Sequence, residues 1–460
     1  MTTKSSGRKK PADARNGPRD FRSFLSLLEE NGELVRVNKS VSCEFELAAV
    51  VSNLEGKQAI LFEKIDKSQF KVASNVIGTR KRFALAVAMR EYDMFHSRFL
   101  RMNGNAAQPK KTSGAPFYEN SSNDLSELPI VSHFEKDAGP YITSSIVFAK
   151  DPETDTQNSS THRLLKLDGK NMVIRMVEGR HLHKCYSSAI EHGDDLKVAI
   201  SIGVHPAISI AAAYQAAYGV DEMLIANSLL EGELTVSKNH YSQLYIPTCS
   251  EIVLEGRILK DKTEYEWMVE MLRTYDFKRK QPIFELDRIR FRNNAIFHDI
   301  LPGYAEHRLL MGLPVETKIF HAVKNVVPST IAVHLTDGGS NWLDAVIQIH
   351  KRLEGEPKNA LLAAFASHPS LKIAIVVDQD IDPRDARAVE YAVATRCQAD
   401  RDLIIINNTK GSTLDPSSDQ VNLLTTKMGI DATATLLKPK DRFEVATIPG
   451  QEEIKLSKYF

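Results

Sequence analysis

The chain has 460 residues, too many for a single hydrophobic core, so two or three domains are expected. Apolar residues make up 42% and charged residues 26%, the balance of a soluble globular protein, and 59 Lys+Arg offset 59 Asp+Glu. Zero net charge excludes a general nucleic-acid binder, which needs a basic excess against phosphates, and no apolar run reaches the ~20 residues of a membrane span.

The first segment, MTTKSSGRKKPADARNGPRD, is basic and polar with no apolar stretch behind it. Residues 1–19 therefore read as a disordered tail and not as a secretory signal. DFRSFLSLLEENGELVRV then shows the apolar spacing of an amphipathic helix, stopped at Asn31-Gly32 and followed by a strand. AILFEKI and KVASNVI read as strands and RKRFALAVAMREY as a helix, which makes a small α/β unit. A polar stretch rich in Gly, Pro and Ser, NGNAAQPKKTSGAPFYENSSNDLSELP, reads as a linker or long loop.

From about residue 128 to 300 the pattern turns to short β-rich runs: YITSSIVFAK, THRLLKLDGKNMVIRMV, LKVAISIGV, SEIVLEGRI and PIFELDRIRFRN. With PAISIAAAYQAAYG as an intervening helix, these predict a β-barrel or sandwich. Beyond about 325, STIAVHLT, KIAIVVDQDID and DLIIIN read as strands. NWLDAVIQIHKRLEG and ARAVEYAVATRC read as helices, so this part has the alternation of a βαβ domain. Four scattered cysteines, Cys43, Cys185, Cys249 and Cys397, form no CxxC pair and fit a reducing cytoplasm.

The common catalytic motifs are absent: no GxxxxGK[ST], GxSxG, HExxH or GxGxxG. What stands out is QNSSTHR followed by EGRHLH, which sets Asn158, Arg163 and His181 in an otherwise strand-like stretch. A buried Arg needs a carboxylate partner or an anionic ligand, and Glu264, Glu266 and Glu270 in TEYEWMVEML are the candidate partners. Such a pair suits a general acid, and Asn and His with a carboxylate would take a divalent ion. Each feature also has a plain structural reading: a core histidine, a solvated helix, or a surface arginine on a strand edge.

The order SEIVLEG after LYIP, then VDQDIDPRD, ATRCQADRD and KMGIDAT, resembles the UbiD-like decarboxylases over residues 20–435. The resemblance implies an α/β (α+β) architecture: an N-terminal α/β domain (20–125), a central split β-barrel of the flavin-reductase kind that binds the cofactor (126–310), a linker helix (311–324), and a C-terminal α/β domain (325–460) acting as substrate lid and oligomerisation surface. It implies reversible non-oxidative decarboxylation of an aromatic, heteroaromatic or α,β-unsaturated acid with prenylated FMN. Within that family an aliphatic unsaturated acid, such as an anhydromevalonate-type intermediate, is the alternative, and a non-catalytic flavin-binding paralogue is the rival of another class. Mn²⁺ or another divalent ion with K⁺ or Na⁺, a flavin prenyltransferase as cofactor supplier, a small carboxylic acid as ligand and a homodimer or homohexamer are expected with it.

Residue by residue, the resemblance matches the metal-ligating Asn to Asn158, the catalytic Arg to Arg163, the metal-ligating His to His181 and the phosphate-binding Lys to Lys372. The third metal ligand, counted back from Pro247, falls on Thr235, with Glu233 as the substitute on the same strand face. The family's EGPxGE is replaced by Glu266-Trp267-Met268-Val269-Glu270, which implies Glu266 and Glu270 as the acid pair and a helical loop with the two at i,i+4. Leu414 is the expected substrate wall, and His298, Glu306 and His334 are further polar candidates. His162 is expected to face away from the site.

Overall fold

The structure, a computed structural model, describes residues 19–87, 89, 107–214 and 216–459. The expected tail over 1–18, the end of the helix RKRFALAVAMREY and the start of the polar stretch at 103 lie outside the described residues. The chain divides into two compact units, Met1–Pro314 and Val315–Phe460.

The first unit opens with α1 (Phe21–Glu30), started by a capping box: Ser23 N–H donates to the Asp20 side chain at 2.8 Å, and Asp20 N–H donates to Ser23 Oγ at 3.0 Å. Its apolar stripe buries Phe21, Phe24, Leu25 and Leu28. Strands β1 (Leu34–Val37), β2 (Ala59–Phe62) and β3 (Lys71–Ser74) follow, with α2 (Glu46–Ser52) after β1 and α3 (Arg80–Ala86) after β3. Short strands β4 (Lys110–Thr112) and β5 (Asn120–Ser122) lead into β6 (Tyr141–Ile142), β7 (Ile146–Lys150), β8 (Gln157–Thr161), β9 (Leu164–Lys166) and β10 (Asn171–Ile174). Then come α4 (His181–Glu191), β11 (Leu196–Ile202), α5 (Pro206–Ala213), α6 (Glu222–Leu229), β12 (Thr235–Lys238) and β13 (Tyr245–Pro247). The long pair β14 (Ile252–Glu266) and β15 (Arg279–Phe291) precedes β16 (Ile296–Asp299), and α7 (Ala305–Val326) carries the chain through the division between the units.

Among the described residues the centre is a 9-stranded sheet in the order β6-β9-β10-β15-β14-β11-β7-β8, with β5 off this path and paired to Ile289, Arg290 and Phe291 of β15. Every pair in it is antiparallel, and the sheet curls into a half-barrel. The inner strands β7 and β11 are apolar nearly throughout because both faces are covered, and IVFA and VAISI sit in two adjoining cores. A bulge at Glu255/Gly256 turns β14, and there a Cβ on Gly256 would lie 2.3 Å from the Glu285 carbonyl oxygen. A second sheet, β1-β2-β3-β16, and a small one, β13-β12-β4, complete the unit.

The second unit is a 5-stranded sheet, β17 (Thr330–Leu335), β18 (Asp344–Ile349), β19 (Ile373–Asp378), β21 (Leu424–Ala432) and β20 (Leu403–Lys410) in spatial order, with α8 (Glu356–Ser367) and α9 (Ala386–Arg396) packed on it. The stretch NWLDAVIQIHKRLEG, expected to be a helix, supplies β18 instead. Its core AVIQI carries the β-branched Val346, Ile347 and Ile349, and it pairs with β17 on one side and β19 on the other. No described helix is long and apolar enough to cross a membrane.

Two histidines of the first unit, His205 buried and His162 partly buried, predict how stability responds to acid. Burial pushes His162 and His205 down to about 4, and His205 Nδ1 must stay unprotonated to accept the Ala207 N–H (3.1 Å) that starts α5. Above the ordinary histidine pKa of ~6.5 both states are neutral; below it only the unfolded chain gains protons. Stability is therefore expected to fall as pH drops from 6.5 to 4, by about 1 kcal/mol per pH unit for each histidine. Denaturant midpoints across that range, compared with a His205→Asn variant, measure it.

Candidate active site

Arg163 stands in the two-residue link between β8 and β9, with its backbone carbonyl accepting the Arg175 N–H. Its guanidinium meets three carboxylates. Nε and Nη2 each donate to Glu266 at 2.9 Å, Nη1 donates to Glu270, and Nη2 also donates to Asp276 at 3.1 Å. Burial opposes the charge, but Glu270 and Glu266 outweigh it and hold the guanidinium above its ordinary pKa. Asp276 is pulled below the usual carboxylate range against its own burial, by Arg279 and then Arg163.

The three acids arrive from one hairpin. Residues 263–266 of β14 pair with 279–282 of β15, so Glu266 ends a strand and the loop 267–278 folds over Arg163. The helical loop expected here does not form, because ladder pairing runs through Glu266↔Arg279 and the loop is closed by a Val269–Tyr275 bridge. Met268, standing where the family has Gly-Pro, packs into an apolar cluster with Tyr141, Leu165 and Val173. Glu266 is fully buried, takes the Tyr141 hydroxyl at 3.3 Å and lies 3.7 Å from Arg175. Burial beside Glu266 pushes the Tyr141 phenol up, so it stays a proton donor. Glu270 keeps 21% side-chain exposure and a single guanidinium nitrogen.

A second polar group forms at the edge of the sheet. Asn158 sits on β8, which among the described residues pairs with β7 alone and has helices packed against it. His181 begins α4 and Glu222 begins α6, capped by Asp221. Asn158 Nδ2 donates to Glu222 Oε1 at 3.0 Å, His181 Nδ1 lies 3.3 Å from the same oxygen, and Ser159 N–H donates to Glu222 Oε2 at 2.8 Å. A small cavity lined by Asp151, Gln157, Asn158, His181, Cys185 and Tyr218 adjoins them.

The structure thus brings Arg163, Glu266 and Glu270 together, and Asn158 with His181. It does not bring Glu233 to them: Glu233 is exposed and pairs with Lys110 at 3.0 Å and Arg19 at 3.7 Å. Glu222 occupies the place instead, because the spacing to Pro247 crosses a helix and a turn that a strand-face argument does not see. Asp221-Glu222 before the apolar run MLIANSLL was its available signal, an N-cap with an acid in the first turn. Asp276, in TYDFKRK, carried none. His162 does not turn away: Asn158, Ser160 and His162 share one side by alternation, and Ser160 Oγ contacts both Asn158 Oδ1 (3.0 Å) and His162 Nε2 (2.9 Å).

His298 pairs with Glu306 at 3.1 Å in the buried interior of the first unit, and Glu306 also accepts the Ile77 N–H. Lys372, Leu414 and His334 belong to the second unit. There Lys372 Nζ donates to Asp415 at 2.7 Å and to Ser417, Leu414 is half-buried one residue before Asp415, and His334 lies 3.7 Å from Glu316.

Residues 25–99, 108–305 and 308–432 match, in turn, the N-terminal, Rift-related and C-terminal domains of the family described as 3-octaprenyl-4-hydroxybenzoate carboxy-lyase, UbiD. The chain belongs to the UbiD family. It is a carboxy-lyase, a UbiD-class decarboxylase. A curated relative, the anhydromevalonate phosphate decarboxylase of Methanothermobacter thermautotrophicus, is 40% identical over 417 residues, covering 90% of this chain and 97% of the relative. Among solved structures, the UbiD-class enzyme HmfF from Pelotomaculum thermopropionicum in complex with FMN superposes with a TM-score of 0.93 at 38% identity, over 96% of this chain and all of that one. An evolved dimeric form of the same enzyme in complex with prFMN gives a TM-score of 0.89 at 36% identity over the same shares.

Proposed function

We propose that this UbiD-class enzyme decarboxylates an aliphatic α,β-unsaturated acid of the anhydromevalonate phosphate type, using prenylated FMN. The observation that carries the reading is the buried Arg163 fork held by Glu266 and Glu270, in a chain 40% identical to an anhydromevalonate phosphate decarboxylase along nearly its whole length. That similarity favours the aliphatic acid over the aromatic and heteroaromatic ones first expected.

Prenylated FMN would supply the electron sink for the pair left when CO₂ departs. The residues present fit a cofactor phosphate held through a divalent ion: an amide, an imidazole and a carboxylate converge at Asn158, His181 and Glu222, a hard-to-borderline donor set. The hydrogen bonds around Asn158 also prepare it. Arg175 O lies 2.8 Å from His162 Nδ1 and fixes the proton there, so Nε2 takes the Ser160 hydroxyl proton. Ser160 Oγ also lies 3.0 Å from Asn158 Oδ1, while Asn158 Nδ2 donates to Glu222 Oε1 at 3.0 Å, so the amide is held at both ends.

At the reacting end, Glu266 is the anchor and Glu270 the acid. Glu266 is buried and accepts from two guanidinium nitrogens, so it fixes the fork. The substrate carboxylate would displace Glu270 from Nη1, and Glu270, open to solvent along one edge, would carry the proton. As the C–C bond to CO₂ breaks, that proton moves from Glu270 to the carbon that has lost CO₂, and the carboxylate returns to Arg163.

The test is the holoenzyme, made by co-expression with a flavin prenyltransferase and supplied with Mn²⁺, assayed for CO₂ release on anhydromevalonate phosphate and a panel of aromatic and furan acids. Turnover confined to the phosphorylated aliphatic acid is expected; turnover of aromatic acids alone would sink the reading. Glu270→Gln is expected to lower kcat by about 10²–10³ while still binding substrate. Glu266→Gln should also raise KM, because the fork loses its anchor.

A further inference from the structure

Beside Glu270 lies a basic group that the proposed chemistry leaves unused. Arg273 follows three residues on, in a turn with φ 62°, its N–H donating to the Glu270 carbonyl at 2.8 Å. Its guanidinium lies 3.9 Å over the Tyr304 ring, donates Nε to the Gly303 carbonyl at 3.1 Å and reaches Glu55 through Nη2. Arg308, in the first turn of α7, shares the same acid, its Nη2 donating to Glu55 Oε1 at 2.6 Å. Its side chain is only 13% exposed, and its Nε is buried with no hydrogen-bond partner among the described residues. His307 accepts the Gly303 N–H on Nδ1 at 3.0 Å, so the neutral ring carries its proton on Nε2. The bond from Arg273 N–H to the Glu270 carbonyl sets this group next to the reacting one.

Two guanidinium groups therefore share one carboxylate, with a buried N–H left over. A mostly buried cation with half a counter-ion is unfavourable unless an anion completes it. The donors on offer, two planar forks and an imidazole N–H, suit a dianion with several oxygens better than a single carboxylate.

We infer that Arg308, Arg273 and His307 bind the phosphomonoester at the far end of the substrate, with Glu55 holding the two arginines in place until that phosphate arrives. This rests on the proposed decarboxylation and names the part of the site that selects a phosphorylated acid. Arg163 takes the carboxylate that is lost; Arg308 and Arg273 take the phosphate that stays.

The test compares the holoenzyme on anhydromevalonate phosphate and on the same acid without phosphate, in wild type, Arg308→Gln and Arg273→Gln. Arg273 is 41% exposed on its side chain, so its variant should fold even if Arg308→Gln does not. Wild type should prefer the phosphorylated acid by at least about 100-fold in kcat/KM. Each variant should lose about tenfold or more on that substrate, almost entirely through KM, and less than about threefold on the unphosphorylated acid. Equal losses on both acids, or no preference in wild type, would overturn the inference while leaving the decarboxylase reading intact. If wild type turns over neither acid, that reading fails. The inference is then judged by calorimetry with inorganic phosphate on the purified protein: binding abolished in Arg308→Gln supports it, and binding unchanged overturns it.

Discussion

Arg163→Lys is expected to lower kcat by about three orders of magnitude with the fold retained. Lysine keeps the charge but offers a compact ammonium where the native side chain spreads three nitrogens over Glu266, Glu270 and Asp276. Glu266 has no exposure, so the loss of its two-point bond leaves a buried carboxylate under-compensated, at a cost of a few kcal/mol. The bond from Nη1 that holds Glu270 until substrate arrives is lost as well. Steady-state kinetics with thermal melting on the same holoenzyme measure both effects. A kcat within threefold of wild type would remove Arg163 from the reaction.

Glu222→Gln is expected to strip the protein of divalent metal and cofactor during purification, lowering metal affinity by about a hundredfold or more. Glu222 is 2% exposed and holds Asn158 and the Ser159 N–H at the sheet edge, so the amide keeps the shape and removes only the charge and an acceptor. Glu233→Gln is the internal comparison. Its carboxylate reaches only Lys110 and Arg19 on the surface, and its loss should leave metal content and the flavin spectrum unchanged. Metal analysis and the flavin absorbance of the two proteins side by side decide between the acids; metal lost from Glu233→Gln and kept in Glu222→Gln would restore the assignment made from spacing.

Local signals in the chain were read well where one element decides its own form. The capped stripe of α1 and the apolar runs of β7, β11 and β19 declare themselves, because burial on one face or both leaves a period in the residues. AVIQI was misread since a short apolar run suits helix and strand alike until its neighbours are known. The acid loop was misread for a related reason: TEYEWMVEML has helical spacing, and only the partner strand β15 holds it extended through Glu266.

The site divides along the same line. Sequence by itself singled out the candidate residues, because Asn158, Arg163, His181, Glu266 and Glu270 stand out where hydroxyls and aliphatics are usual and match a family pattern in order. Tertiary structure alone decided which groups meet. Glu222 replaced Glu233 because a helix starting after Asp221 points its first turn at a sheet edge 64 residues earlier in the chain. Asp276 and Tyr141 joined Arg163, and Arg308 met Arg273 over Glu55, through contacts between segments far apart in sequence. Period and motif are properties of neighbours along the chain; the partner of a buried charge is chosen by packing, which a linear spacing does not encode.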